Sequence, residues 1–252
     1  MIRVVAYALM IVASPGTVYA GGASDSIVAT ARQTWVGDST LHGWASSLDW
    51  VRTLSDGRSA SVGLDWVQLG PFTRMLAQLG GNIPLTPRVG LMGQLRAGEA
   101  DVAGDRYFHG ELTTQLSYST SVQTFISVQQ RAITAGSLRG DLLGVSATYL
   151  PTPTVSLSAT TLATVAGNLG TRASSLRIDY VKRIHLLAGV SIGESQPGIY
   201  NAPLASPGRQ LQYYAGFGSS IRWVSLTLIL DRLHSAEVDQ YDAMLIASTP
   251  LP

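Results

Sequence analysis

The chain contains no cysteine, so it can form no disulfide, and acylation of an N-terminal cysteine is excluded as well. It is also poor in charge: Asp, Glu, Lys and Arg make up 13% of its residues, against about 25% in an ordinary soluble domain. The apolar share of 46% is unexceptional. A soluble protein of 252 residues would spend more charge on its surface, whereas one whose outer wall meets lipid need not. No apolar run approaches the roughly 20 residues that a spanning helix needs. Val4 to Ala13 comes nearest, and it stops at Ser14, Pro15 and Gly16. An excess of one charge sign is missing too, with 17 basic and 16 acidic residues, so composition favours neither nucleic acid nor an anionic surface.

What is present begins with an export signal. Arg3 supplies the positive n-region, Val4 to Ala13 the apolar h-region, and Val18, Tyr19 and Ala20 a small-x-small cleavage site. Cleavage after Ala20 is expected, leaving residues 21–252 as one domain with 16 basic and 16 acidic residues, since only Arg3 is lost.

From about Ser26 onward one unit repeats, a run of about eight to eleven residues alternating apolar and polar. Phe108, Gly110, Leu112, Thr114, Leu116 and Tyr118 form one phase, and His109, Glu111, Thr113, Gln115 and Ser117 the other. Leu143, Val145, Ala147 and Tyr149 alternate likewise with Gly144, Ser146 and Thr148, and Leu176, Ile178 and Tyr180 with Arg177 and Asp179. Such a period points side chains to opposite faces of a strand and spreads apolar residues around a helix without making a stripe. Asp242 to Ser248, apolar in both phases at Met244, Leu245 and Ile246, fits least well.

Turn signals divide these runs. Ser55–Arg58, Leu85–Pro87, Ser119–Ser121, Pro151–Thr154, Lys182-Arg183 and Ser219-Ser220 read as short turns. Gly37–Thr40, Gly70-Pro71, Ala97–Asp105, Thr134–Asp141, Gly167–Ala173, Glu194–Arg209 and His234–Gln240 read as longer loops between them. Alternating short and long connections predict an all-β, transmembrane, antiparallel up-and-down barrel of about 14 strands, with 12 the other count, and both termini on the periplasmic side. Trp50, Tyr118, Tyr149, Tyr180 and Trp223 fall near short turns and form an expected inner-interface girdle. Trp35, Trp44, Trp66, Phe72, Phe108, Tyr213 and Tyr241 fall near the longer loops and form an outer one. A secreted β-sandwich is the soluble alternative, because half-buried strands also alternate.

The polar phase carries Arg32, Asp49, Asp65, Arg74, Arg88, Arg96, Glu111, Arg131, Arg177, Asp179 and Asp231, with Arg the more frequent sign. Paired across strands they make a plug, and wetted they line a weakly anion-preferring pore. Catalytic, cofactor-binding and metal sites are not expected. His109 and Glu111 share a face but lie about 7 Å apart along a strand, too far for a direct bond without favourable rotamers. His42, His185 and His234 sit on different elements without metal-ligand spacing. His234, near Asp231 and Glu237, is the one candidate for a hydrolytic Asp/His pair, and no phosphate-binding helix follows Gly57 or Gly80-Gly81.

The block from Arg106-Tyr107-Phe108-His109-Gly110-Glu111 through Gly144-Val145-Ser146 and Pro151 to Leu176-Arg177 resembles the YaiO family of outer-membrane proteins. Gly37-Asp38-Ser39 and Asp239-Gln240-Tyr241-Asp242 are similar as well, so the resemblance spans nearly the whole mature chain. It implies an outer-membrane barrel among lipid and lipopolysaccharide, and it brings no catalytic residue. The ending Thr249-Pro250-Leu251-Pro252 departs from the terminal aromatic of many such barrels. The expected role is a narrow, porin-like pore or an accessory channel for small polar solutes or polysaccharide export. The alternatives are a plugged structural or adhesion barrel that binds a partner through its outer loops, and a barrel hydrolase.

Overall fold

The computed structural model describes residues 23–37, 42–168, 170–195, 208–221, 223–235 and 239–251. They form fourteen strands. In chain order these are β1 (Ser24–Val36), β2 (His42–Thr53), β3 (Ser59–Leu69), β4 (Phe72–Thr86), β5 (Val89–Val102), β6 (Asp105–Ser119) and β7 (Thr124–Ala135). There follow β8 (Leu138–Thr152), β9 (Val155–Gly167), β10 (Thr171–Val181), β11 (Ile184–Ser195), β12 (Gly208–Ile221), β13 (Val224–Ser235) and β14 (Asp239–Leu251). Each strand pairs antiparallel with its sequence neighbours, and β1 pairs with β14 from Asp25↔Leu251 to Val36↔Gln240, so the sheet closes on itself. A sandwich is thereby ruled out. Closure leaves no unpaired edge, and every backbone donor and acceptor of a strand can find its partner in the sheet.

The two-residue period sets what faces where. On β6, Phe108 is 59% exposed and Leu112 50%, while the intervening His109 and Glu111 are 1% and 5% exposed. Such a surface is the reverse of a soluble protein's: Leu64, Leu79, Leu95, Leu116, Leu157, Leu176, Leu228 and Leu230 all stand on the outside. Among the described residues, inward positions hold three apolar clusters amid polar neighbours. Val36, Val67, Leu69, Phe72 and Ala100 pack with Ala45, Val102 and Tyr107 at the end away from the termini. Ile133 and Leu142 pack with Leu138 and Leu162. Leu187, Tyr214 and Ile229 pack with Met244 and Ile246. This last cluster explains the two-faced apolar run of β14, because its inward residues meet an apolar patch of the neighbouring wall.

Several connections are shorter than expected. Ala97–Asp105 is not a long loop: β5 continues to Val102 and β6 starts at Asp105, joined by Ala103 and Gly104. Both have positive φ, 54° and 96°, the backbone of a tight hairpin turn. Thr134–Asp141 likewise contracts to a two-residue turn opened by Gly136. Polar residues here mark strands that outrun the apolar belt, which sequence cannot tell from loop. The signal segment lies outside the described residues, as does most of 194–209. β14 runs to Leu251, so the non-aromatic ending belongs to the last strand.

Candidate pore and its lining

The inner wall is built by side chains that alternation forces inward, and they reach one another across strands. Arg32 on β1 meets Asp242 on β14 at 2.5 Å, across the seam that closes the barrel. Thr34 donates to the same carboxylate, and Gln240 does so at 2.8 Å. Next to it, Thr30 and Ser47 share a hydrogen bond of 2.7 Å. Asp49 on β2 accepts a hydrogen bond from Gln78 on β4, two strands away. Gly63 lies between them on β3, where an added Cβ would collide with the Asp49 side chain. Gln78 in turn accepts from Arg96 on β5 at 3.2 Å, and Arg74 binds Asp65 at 3.2 Å.

Farther round the wall, Glu111 receives Arg131 at 2.6 Å and His109 at 2.9 Å, with all three side chains buried. The two-residue separation that argued against the His109–Glu111 bond is bridged because the imidazole and carboxyl bend toward one another along the strand. Hydroxyl pairs continue the belt: Ser127 to Ser146 at 2.6 Å and Thr148 to Ser158 at 3.0 Å. Asp179 then holds Arg177 through two contacts of 2.6 and 2.5 Å, and His185 at 3.0 Å. Asp231 faces Asp242 directly in register. Charged hydrogen bonds such as these are the strong kind, and once buried they need every partner present.

Burial of this wall rises away from the termini on most strands, while the inward residues of β9 and β10 from Ser156 to Thr164 and from Thr171 to Asp179 stay half-buried. Toward the end away from the termini, Arg74, Glu111, Arg131, Gln210, Gln240 and Asp242 are all closed to water, as are the apolar residues around Phe72. Toward the termini, Asn82, Met92, Gln94, Gln115, Ser117, Ser156 and Ser158 are half-buried. Two of the sequence assignments move. Arg88 lies in the exposed β4–β5 turn, off the inner wall, and Phe72, placed in an outer girdle, points inward and is 1% exposed. Asp242, which opens the last run and is absent from the expected inward charges, joins the inner set. The inward charges described are therefore five Arg (32, 74, 96, 131, 177) and six acids (49, 65, 111, 179, 231, 242), so Arg is not the more frequent sign.

Outward aromatics stand at two levels. Trp50, Tyr118, Tyr149 and Tyr180 lie near the turn ends of β2, β6, β8 and β10, and Trp223 in the β12–β13 turn is 64% exposed. Near the opposite end, Trp66 packs on Trp44 with ring centroids 3.5 Å apart. Arg232 lies over the rings of Tyr241 and Tyr213, at 5.3 and 6.0 Å. His234 bonds to Asp239 at 2.7 Å, on the outer surface and away from the inward Asp231 suggested as its partner. Among the described residues no group of three or more His, Asp or Glu is placed to hold a metal ion.

The fold is similar to that of the CymD monoaromatic hydrocarbon channel, with a TM-score of 0.66 at 10% identity over 91% of this chain and 88% of that one. A mutant of the TodX monoaromatic hydrocarbon channel gives 0.59 at 10% identity, over 92% and 91%. Pseudomonas aeruginosa OpdQ gives 0.50 at 9% identity, over 92% and 99%. The neighbours are outer-membrane β-barrels. At such identities the likeness is one of fold. No protein-family model matches the chain, and no curated protein matches it by sequence.

Proposed function

We propose that this chain is exported, loses residues 1–20 and inserts in the outer membrane as a barrel of the YaiO kind, where it forms a narrow channel for small polar solutes or an accessory channel in polysaccharide export. The observation that carries this reading is the inner wall: a polar belt, half-buried toward the termini and along β9 and β10, beside an outer apolar cluster on β1 to β6. Five inward Arg against six acids, mostly paired, give the passage little field of its own, which suits an uncharged solute better than an ion. The apolar patch of Leu187, Tyr214 and Ile229 offers such a solute a surface to slide along. CymD and TodX, channels for monoaromatic hydrocarbons, add support for a cargo of small size.

Two measurements test it. Membrane fractionation with a heat-dependent gel shift reads the barrel in the membrane; protein released by osmotic shock and unshifted by boiling would end the proposal. Liposome swelling then reads passage, and a neutral sugar should enter faster than a charged one of equal size. The buried outer cluster favours a second reading, a plugged barrel that binds a partner through its outer loops. Absence of swelling and of conductance steps, in the native protein and in variants of the outer cluster, would decide for the plug.

A further inference from the structure

The chain's overall neutrality conceals an uneven placement of charge. At the turn end, beside the termini, the described residues include five cations (Arg52, Arg58, Arg88, Lys182 and Arg183) and two acids (Asp25 and Asp56). Both acids are taken, Asp56 by Arg58 at 3.0 Å and Asp25 by Arg52 at 4.0 Å. Among the described residues, Arg88, Lys182 and Arg183 have no acidic partner. The opposite rim is more balanced, with Asp101, Asp105, Asp141 and Asp239 beside Arg106, Arg139, Arg172 and Arg232, and there Arg106 meets Asp101 at 3.5 Å and Arg232 meets Asp239 at 3.1 Å.

At one place this unpaired charge adjoins a built hollow. Lys182 and Arg183 form the β10–β11 turn, and with Tyr180 and Ile184 they line a recess of about 360 Å³. Tyr180 and Ile184 belong to the outward phase of the wall, so the recess is cationic on its turn side and apolar on its barrel side. Above it the outward pairs are Tyr180↔Leu186, Ile178↔Ala188 and Leu176↔Val190. The last two pairs border a groove of about 660 Å³ that crosses β8 to β11 where Ala147, Ala159 and Ala188 leave room among Leu157, Leu176, Ile178 and Val190, one outward pair above the recess. From Lys182 to Leu176 is six residues, about 20 Å at the rise of a strand and comparable to an extended acyl chain. A ligand that satisfies both parts must be anionic at one end and hydrocarbon at the other. Neither free phosphate nor an acidic protein surface fits the groove.

We propose that the β10–β11 turn and the furrow above it form a binding site for one anionic glycerophospholipid of the inner leaflet, its phosphate on Lys182 and Arg183 and an acyl chain along Ile178, Ala188 and Val190. This rests on the membrane reading above, and the gel shift of the same preparation reports on that reading separately.

The experiment is native mass spectrometry of the detergent-extracted barrel with phosphatidylglycerol or phosphatidylcholine at equal concentration. One phosphatidylglycerol should be retained with a preference of about 30-fold, the product of two cations' attraction to an anionic headgroup. The double variant Lys182→Gln/Arg183→Gln should lose that preference and keep its heat shift, whereas Arg88→Gln, which removes an unpaired cation without a recess, should keep it. Ala188→Trp, filling the furrow, should weaken retention of both lipids. The site is refuted if the native barrel shows no preference, if Arg88→Gln has the same effect as the double variant, or if inorganic phosphate displaces the lipid, which would reduce the recess to an anion site.

Discussion

Glu111 shows how much one inward residue can carry. Its carboxylate serves both Arg131 and His109 where none of the three touches water. Glu111→Gln keeps the shape but leaves Arg131 as a buried charge without its counter-ion, a change that costs about 3–5 kcal/mol. Denaturant unfolding in detergent should show a loss of that size, while the same change at the exposed Glu99 should cost little. Gly63 carries a different load, because the Asp49–Gln78 bond passes over it. Gly63→Ala should destabilise by about 1–3 kcal/mol through overpacking, and pairing it with Asp49→Ala should recover part of the loss; strictly additive costs would show that the two do not meet. The inward phase of most of these residues was legible from the two-residue period alone. Their partners were not. Arg32 and Asp242 are 210 positions apart, and only closure of the barrel makes them neighbours. Arg88 was misplaced because a turn residue belongs to neither phase.

For the strands, legibility follows from solvent. Where one face meets hydrocarbon and the other a polar interior, as on β6 and β8, alternation survives intact in the sequence and the strand could be read residue by residue. β14 obscured it because Met244 and Ile246 turn inward onto Ile229 and Leu187, so both faces are apolar for different reasons. The strand ends were obscured too: Glu99 and Asp101 read as loop, yet they lie within β5, which carries them beyond the apolar belt to the Ala103-Gly104 turn. A lipid-facing wall makes a sharp prediction for single strands. Arg at Leu112 or Leu230, both outward and mid-strand, should cost about 2–4 kcal/mol near the bilayer midplane, the same change at Leu157 or Leu226, two residues from a turn, should cost about 0–1, and at the inward, half-buried Gln94 it should be mild. Unfolding in lipid vesicles measures the difference. Equal costs on the two faces would show that the exposed phase does not meet lipid, and the membrane reading would fall with it.

Taken as a whole, the barrel has two dissimilar ends. Fourteen strands make a cylinder between those filled by their own side chains and those with a free water channel. Here the inward residues toward the termini are mostly half-buried, and the outer end is packed on the β1 to β6 side around Leu69, Phe72 and Val67, which are 0–1% exposed. The belt of ion pairs and hydroxyl bonds ties strand to strand without using this cluster, so the cluster can be thinned while the wall stays closed. That separation of roles makes it the element to test for gating. Leu69→Ala/Phe72→Ala removes the two largest side chains of the buried outer cluster, with a stability cost of about 2–5 kcal/mol for each. If the cluster closes a channel, single-protein conductance in planar bilayers should rise and neutral-sugar entry should quicken. Ile229→Ala, a comparable deletion in the apolar patch nearer the middle, should cost similar stability and leave conductance nearly unchanged. A barrel that gains no conductance from the first variant, while keeping its heat-shifted, folded form, is obstructed by the polar belt itself, and its role then lies at its outer surface.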